Sequence, residues 1–198
     1  MMRIFSCFFI LALCLAGCSR SEQSAVIRLS NEGRVVDLLI PDGYLERKPK
    51  HPAESVWFKF DYPGLSPSSG DTSSNGSVSV LILNIANNKT RAEYILDAEV
   101  SQAYKSEFLE RKKPSLEIED SISDRQGSTY IKKTIFSRAN DGVLICHEVV
   151  PDLRIRVSRR YSKFIELRYV ISPERFPERE RVDAAVIALL NKFSSKQL

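Results

Sequence analysis

The chain has 198 residues, of which 43% are hydrophobic and 27% are charged, and its net charge at neutral pH is +4. This composition indicates one folded domain, and the positive charge is too small to indicate a nucleic-acid-binding protein. We therefore expect a globular domain whose partners are not nucleic acids.

The first 17 residues have the order of a secretory signal. Arg3 precedes an apolar or small stretch from Ile4 to Gly17, and no acidic residue occurs before Glu22. This stretch is shorter than the roughly 20 apolar residues that a membrane-spanning helix needs, and it runs directly into polar residues. The sequence therefore predicts a cleaved signal over residues 1–17.

The end of this signal carries a more specific pattern. Leu15, Ala16, Gly17 and Cys18 resemble the lipobox of bacterial lipoprotein signals. The resemblance implies that the Cys18 thiol takes a diacylglycerol and that its amine is acylated with a fatty acid such as palmitate. Two or three acyl chains give stable membrane anchoring. Ser19 is not the Asp of an inner-membrane retention signal, so we predict a lipid anchor on the periplasmic face of the outer membrane, with the inner membrane as the less favoured location.

Removal of the signal changes the cysteine inventory. Cys7 and Cys14 leave with the signal, lipid occupies Cys18, and Cys146 remains as the one thiol of the mature chain. An intramolecular disulfide is then impossible, so the domain depends on its hydrophobic core, for which 181 mature residues suffice. Loss of Arg3 lowers the basic count from 29 to 28 against 25 acidic residues, which gives a net charge of +3.

The predicted structural elements follow a polar tether that we place at residues 18–30, and we assign residues 31–198 to one domain. Runs rich in β-branched and aromatic residues, bounded by Pro, Gly or Asn, predict strands. The low-complexity segment from Ser66 to Ser77 predicts a loop between two of them. The first three predicted strands are Val35 to Ile40, Val56 to Tyr62 and Val78 to Ile85.

A helix is predicted next, because Thr90 and Glu93 fit a capping box at its start and Pro114 follows its end. Its apolar stripe, at i, i+4 spacing, consists of Leu96, Val100, Tyr104 and Phe108. Four further strands are predicted at Ser128 to Phe136, Val143 to Val150, Leu153 to Tyr161 and Phe164 to Ile171, followed by a last helix from Pro177 to Phe193.

This order of elements predicts an α+β fold. We expect a single domain with a mainly antiparallel sheet of about seven strands and with both helices packed on one face of it. Strands and helices do not alternate along the chain, which disfavours the parallel folds that bind dinucleotides or phosphates.

Residues for catalysis and for metal binding are sparse. His51 and His147 are the two histidines, and neither has metal-ligand spacing or a nucleophile suitably placed in sequence. Cys146 and His147 are adjacent on a predicted strand, so their side chains point to opposite faces and Cys146 is expected to be a buried apolar residue. No catalytic motif occurs, so we expect no enzyme, no metal and no cofactor.

An acidic cluster follows the first predicted helix. Its members are Glu117, Glu119, Asp120 and Asp124, which lack the glycine and the ligand spacing of a calcium loop. We therefore interpret the cluster as a solvated charged turn.

The predicted hairpin from Leu153 to Ile171 places three arginines on one face. Arg154, Arg156 and Arg168 lie opposite the apolar side of these strands. With a turn at Ser162, Arg156 and Arg168 would be direct cross-strand neighbours, and like charges in that position destabilise a sheet unless an acid relieves them.

An acidic group could offset the repulsion between Arg156 and Arg168 in either of two ways. Glu148 or Glu166 supplies it within the protein, or an acidic partner or a phospholipid headgroup supplies it from outside. Trp57 is a second candidate contact if it is exposed, because Trp and Arg dominate binding hot spots, although a single Trp in a strand is more often part of a core. The candidate partner-binding residues are Arg154, Arg156, Arg168 and Trp57.

A family resemblance comes from the segment between Val36 and Pro67. Its residues are Ile40, Pro41, Tyr44, Leu45, Trp57, Phe58, Phe60, Tyr62, Pro63, Leu65 and Pro67. This set resembles small lipoproteins that act as immunity proteins to type VI secretion lipase effectors. The resemblance implies a periplasmic inhibitor that binds a toxic phospholipase and blocks its active site, and it implies no catalytic residues.

Two binding functions are therefore considered, and an enzyme, whose activity would depend on one of the two histidines, is the least favoured class. The first is a membrane-anchored lipoprotein that binds and neutralises a secreted lipase effector. The alternative is a structural or assembly lipoprotein of the envelope that binds a resident protein or lipid without catalysis.

Overall fold

The computed structural model describes residues 23–50, 52–68, 76–86, 88–111, 113–123, 129–150 and 154–194. The predicted signal, Cys18, His51 and most of the Ser66 to Ser77 loop lie outside these ranges. The described strands are β1 (Ser24–Asn31), β2 (Arg34–Pro41), β3 (Ser55–Asp61), β4 (Ser66–Pro67), β5 (Ser77–Asn84), β6 (Ser115–Ser123), β7 (Thr129–Arg138), β8 (Leu144–Val150), β9 (Arg154–Ser162) and β10 (Ile165–Ile171). The described α-helices are α1 (Arg91–Glu99), α2 (Gln102–Leu109) and α3 (Arg179–Ser194), and 3₁₀ turns occupy Asp42–Tyr44 and Pro173–Glu178.

Eight of these strands form one antiparallel sheet in the spatial order β4-β3-β5-β10-β9-β8-β7-β6. Strands β7 to β10 are neighbours in chain order, as expected of a meander. Strands β1 and β2 form a separate antiparallel hairpin. The predicted α+β class is therefore confirmed, although the described residues form ten strands and three α-helices where about seven strands and two helices were predicted.

One face of the large sheet, which we call the core face, carries a continuous apolar layer. Alternate residues of a strand point to the same side, so cross-strand partners share a face. Phe58 is paired with Val80, Val80 with Tyr169, and Tyr169 with Val157, and all four are buried. Helix α3 and the β1–β2 hairpin cover this layer, and the helix contributes the buried residues Val182, Val186, Leu189, Leu190 and Phe193.

The other face, which we call the mixed face, is covered by α1 and α2 over part of its width. Helix α1 contacts β8 and β9, and its buried Ile95 and Leu96 belong to a second apolar cluster with Phe136 and Cys146. The prediction that both helices pack on one face is therefore wrong. On β10, Glu166 bonds to α1 whereas Tyr169 bonds to α3, and residues an odd number of positions apart on a strand point to opposite faces.

The predicted first helix is two helices. Thr90 and Glu93 form the predicted capping box, but the chain leaves helical geometry at Val100, which has φ −107° and ψ 128°. The break changes the helical phase, so Val100 and Phe108 remain buried while Tyr104 is exposed. Leu96, Val100 and Phe108 of the predicted stripe therefore pack in the second apolar cluster, and Tyr104 does not.

Two further predictions are corrected at the edges of the fold. Residues 24–30, predicted as part of the tether, form β1, because Ile27 and Leu29 are buried and the positive-φ residues Glu32 and Gly33 turn the chain back into β2. The predicted acidic turn is instead part of an edge strand: Glu117, Glu119 and Asp120 lie in β6, and Asp124 lies outside the described residues. Lys133 of β7 binds two of these acids, Glu117 at 2.5 Å and Glu119 at 3.1 Å.

Candidate binding site

The part of the mixed face formed by β3, β5, β10 and β9 contains a cavity of about 260 Å³. Each strand sends alternate side chains to this face, which places an aromatic ring, aliphatic side chains and arginines around one opening. Helix α1 closes one side through Arg91, its first residue. The lining residues are Trp57, Leu81, Arg91, Glu148, Arg156, Val157, Ser158, Arg168, Tyr169 and Val170.

Three of the four predicted partner-binding residues meet at this cavity. Trp57, Arg156 and Arg168 come from β3, β9 and β10 and line it together. Trp57 keeps 42% of its surface exposed, so it is not a core residue. Arg154 is exposed on the same face of β9, two residues before Arg156, but it does not line the cavity.

The cross-strand register differs from the one predicted for the two arginines. Arg156 pairs with Val170, and Arg168 pairs with Ser158, so the two guanidinium groups are diagonal rather than direct neighbours. The register shifts between Ile165 and Glu166, where a bulge adds one residue to β9. Because the strands turn after Ser162 and pair again from Ile165, rather than turning at Ser162 itself, the two arginines are one diagonal step apart and the predicted like-charge repulsion is weaker.

Glu166 neutralises Arg168 inside the protein. Its fully buried carboxylate accepts hydrogen bonds from Arg168 Nε at 3.1 Å and Nη2 at 2.9 Å. The same carboxylate accepts the backbone N–H of Arg91 at 2.8 Å. Relief by an internal acid, one of the two alternatives raised from the sequence, therefore applies to Arg168.

Glu148 neutralises Arg91, a residue that sequence reasoning did not single out. Arg91 donates to the Glu148 carboxylate through Nε at 2.5 Å and Nη2 at 2.7 Å. Burial opposes ionisation of Glu148, but the hydrogen bonds from Arg91 and the charges of Arg91, Lys132 and Arg156 outweigh it and lower its pKa. The capping box before Arg91 was the signal that fixed this position, since it defines where α1 begins.

Arg156 is different from the other two arginines of the cavity. Its side chain is exposed and makes no hydrogen bond or ion pair with any described residue, although Glu148 is its cross-strand partner on β8. Glu148 is already engaged in two bonds with Arg91. The cavity therefore presents one guanidinium whose donors are available to a ligand.

A basic segment borders Trp57 on its other side. Residues 46–50 line a second cavity of about 390 Å³ together with Trp57. Arg47, Lys48 and Lys50 all belong to it, and Lys48 forms an ion pair with Asp42 at 2.7 Å. Sequence reasoning missed this segment because nothing local shows that it folds back beside β3. Trp57 therefore has arginines on one side and basic residues on the other.

The Cys146 and His147 side chains point to opposite faces of the sheet, as predicted. Cys146 packs with the α1 cluster, and burial raises the pKa of its thiol to about 12. His147 packs edge-on against Phe176 on the core face, and burial together with the charge of Arg179 lowers its pKa to about 4. At neutral pH the pair therefore offers a protonated thiol and a neutral imidazole that do not face each other.

A third cavity, of about 450 Å³, lies between α3 and the turn that joins β7 to β8. Its buried charge is Arg159, which donates to Asp141 at 2.5 Å and also to Asp183. Asp183 in addition accepts the Tyr169 hydroxyl at 2.7 Å. Because Arg159 and Asp183 are paired to each other, this network holds α3 to the sheet.

The described residues include no group of three or more His, Cys, Asp or Glu side chains placed to hold a metal ion. In the same part of the chain, no helix has both the length and the apolar character needed to cross a bilayer. Comparison of the chain with protein-family models, with curated proteins and with solved structures gives no match. The mixed face thus combines an exposed aromatic ring with an arginine whose donors are available.

Proposed function

We propose that this chain is a lipid-anchored lipoprotein on the periplasmic face of the outer membrane that binds and neutralises a partner protein without catalysis. The observation that carries the proposal is the exposed Trp57 beside the unpaired Arg156 at one cavity of an eight-stranded sheet. The few residues that supply most of the binding energy of a protein interface are enriched in Trp and Arg and lie where water is excluded. A paired sheet also holds both side chains in fixed positions.

The more specific proposal is that the partner is a lipase effector of type VI secretion. It is supported by the resemblance carried by the segment between Val36 and Pro67, which includes Trp57. An anchor at Cys18 would place the inhibitor next to the phospholipids that such a toxin attacks. The basic residues on both sides of Trp57 would suit an acidic region of the toxin surface.

The experiment combines capture and protection. The full-length chain, with a C-terminal tag, is expressed in a bacterium that receives the effectors of a rival strain, and proteins bound to it are identified by mass spectrometry. We expect a secreted lipase in the captured material and survival of cells that carry both proteins in the periplasm. Recovery of no lipase, together with no protection against any lipase tested, would overturn the proposal.

Single-residue and double variants test whether capture depends on Trp57 and Arg156, and whether the chain is lipidated at Cys18. Replacement of both Trp57 by Ala and Arg156 by Gln should reduce capture by about 30-fold or more, the usual effect of losing a hot spot. Lys89→Gln is the control, because Lys89 is exposed, does not line the cavity and pairs with Asp97 on the surface. Cys18→Ala should abolish incorporation of a palmitate analogue, and undiminished labelling would refute the anchor.

A further inference from the structure

We propose that the cavity beside Trp57 receives one carboxylate side chain, an Asp or a Glu of the partner protein, held by the Arg156 guanidinium and the Ser158 hydroxyl. This inference rests on the proposed function and specifies the chemistry by which the partner is recognised. Two observations support it: hydrogen-bond donors on the mixed face that bind no described residue, and the net positive charge of the residues around them.

The first unused donor is the guanidinium of Arg156. Three arginines line the cavity, and internal carboxylates engage two of them through paired hydrogen bonds: Glu148 engages Arg91, and Glu166 engages Arg168. Arg156 has no such acid among the described residues. A guanidinium presents two parallel N–H groups that match a carboxylate, so its natural complement is the group that its neighbours already bind.

The second unused donor is the hydroxyl of Ser158. Ser158 is two residues after Arg156 on β9, lines the same cavity and is only 2% exposed. Its Oγ has no hydrogen-bond partner among the described residues. Buried hydroxyls are normally hydrogen-bonded, so an unpartnered one in the wall of a cavity indicates where a ligand atom belongs. Arg168 lies directly opposite Ser158, which keeps positive charge close to that position.

The charge balance favours a single monoanion. The cavity region and the groups paired with it contain four cations, Arg91, Arg156, Arg168 and Lys132, against three carboxylates, Glu148, Glu166 and Glu99, which leaves one positive charge uncompensated. A carboxylate neutralises that charge, whereas a phosphate dianion would leave an excess of negative charge in a half-buried site.

The apolar part of the wall favours a protein side chain over a lipid headgroup. Trp57, Leu81 and Val170 line the cavity next to the arginines, and its volume of about 260 Å³ accommodates the methylene groups of a Glu side chain as well as its carboxylate. The exposed cations that a bilayer surface would attract, such as Arg47 and Lys50, lie outside this cavity, whereas the cavity itself holds one unpaired cation between apolar walls. We therefore commit to an acidic side chain flanked by apolar residues.

Trp57 is the only tryptophan in the chain, so its fluorescence reports on the site directly. The probe is the peptide acetyl-Leu-Glu-Leu-amide, titrated into the full-length chain in detergent micelles, with acetyl-Leu-Gln-Leu-amide as the uncharged match. We expect a saturable change with the Glu peptide and none with the Gln peptide. Arg156→Gln should weaken binding by about tenfold or more, and Ser158→Ala by about threefold to tenfold, because hydrogen bonds to charged groups are the strong ones.

Arg154→Gln is the matched control for charge. It removes the same positive charge from the same face of β9 but lies outside the cavity, so binding of the Glu peptide should stay within about twofold of wild type. An equal response to the Gln peptide would overturn the inference, and so would equal losses in Arg154→Gln and Arg156→Gln. A stronger response to phosphatidylglycerol vesicles that disappears in Arg156→Gln would overturn it in favour of a lipid phosphate.

The same variants separate this inference from the proposed function. If a lipase is captured and Arg156→Gln does not weaken its capture, the carboxylate site is refuted and the proposed function stands. If the Glu peptide binds as expected but no lipase is captured and no cell is protected, the proposed function is refuted and the carboxylate site stands.

Discussion

Trp57 and Phe58 are consecutive residues of β3, yet their side chains lie in opposite environments. Phe58 is fully buried on the core face, in contact with the rings of Phe60 and Phe193. Trp57 points to the mixed face and keeps 42% of its surface exposed at the edge of a cavity. The core face is covered by α3 and a hairpin, whereas this part of the mixed face has no cover among the described residues.

The same contrast holds for two arginines of β9. Arg159 lies on the core face, is 2% exposed, and donates to both Asp141 and Asp183. Arg156 lies on the mixed face, is exposed, and makes no hydrogen bond or ion pair with a described residue. A buried cation without a partner is too costly to keep, so pairing is obligatory for Arg159 and optional for the exposed Arg156. The stability of the fold therefore depends mainly on the core face, and side chains of the mixed face remain available for binding.

Phe58→Ala is the substitution that tests this division most strongly. Removing a fully buried ring from the layer beneath α3 leaves a cavity, and such changes cost about 3–5 kcal/mol of unfolding free energy. The measurement is urea denaturation followed by circular dichroism. Trp57→Ala, at the neighbouring position, should cost clearly less, because much of its ring is already in contact with water. Equal losses of unfolding free energy at the two positions would show that the two faces contribute equally to stability.

His147 gives the next largest effect, through pH. Burial and Arg179 lower its pKa to about 4 from the ordinary value of 6.5, so between these pH values the unfolded chain binds more protons than the folded one. Stability should therefore be complete above pH 6.5 and should fall by about 3 kcal/mol as the pH is lowered toward 4. The measurement is the free energy of unfolding in urea at intervals from pH 7 to pH 5.

His147→Gln is the control for that pH dependence. Glutamine stays neutral over the whole range, so the variant should lose most of the slope between pH 7 and 5. Carboxylates with lowered pKa values, such as Glu148 and Glu93, add to the slope only below their ordinary pKa of 4.5, because their stabilisation is fully present above that value and is lost as the pH falls through the folded pKa. An unchanged slope in His147→Gln would show that burial of this imidazole is not the source.

The local patterns of the sequence predicted much of the fold. The strands β2, β3, β5 and β7 to β10 were predicted within a few residues, because each combines β-branched or aromatic residues with a clear turn signal. The start of α1 was predicted from a capping box, which is a contact between residues only three positions apart. The clustering of Trp57, Arg156 and Arg168 followed in part from alternation along strands.

The remainder depends on contacts between distant parts of the chain. Strand β1 is stabilised by pairing with β2 and by hydrogen bonds such as Asn84 Nδ2 to the Leu29 carbonyl, and neither is visible in its own eight residues. The faces on which the helices pack are set by tertiary contacts. The register that places Arg156 and Arg168 diagonally, and the position of residues 46–50 beside Trp57, likewise have no local signal.

Arg156→Gln has the smallest expected effect on stability and completes the comparison of the two faces. Its guanidinium is exposed and bonds to no described residue, so the free energy of unfolding should change by no more than about 0.5 kcal/mol. The substitution removes a weak attraction between Arg156 and the ionised Glu148 opposite it. Any change in the free energy of unfolding should therefore be a slight decrease. Urea denaturation at neutral pH measures it. A loss as large as that of Phe58→Ala would mean that Arg156 is a structural residue, and its place in the binding site would then have to be given up.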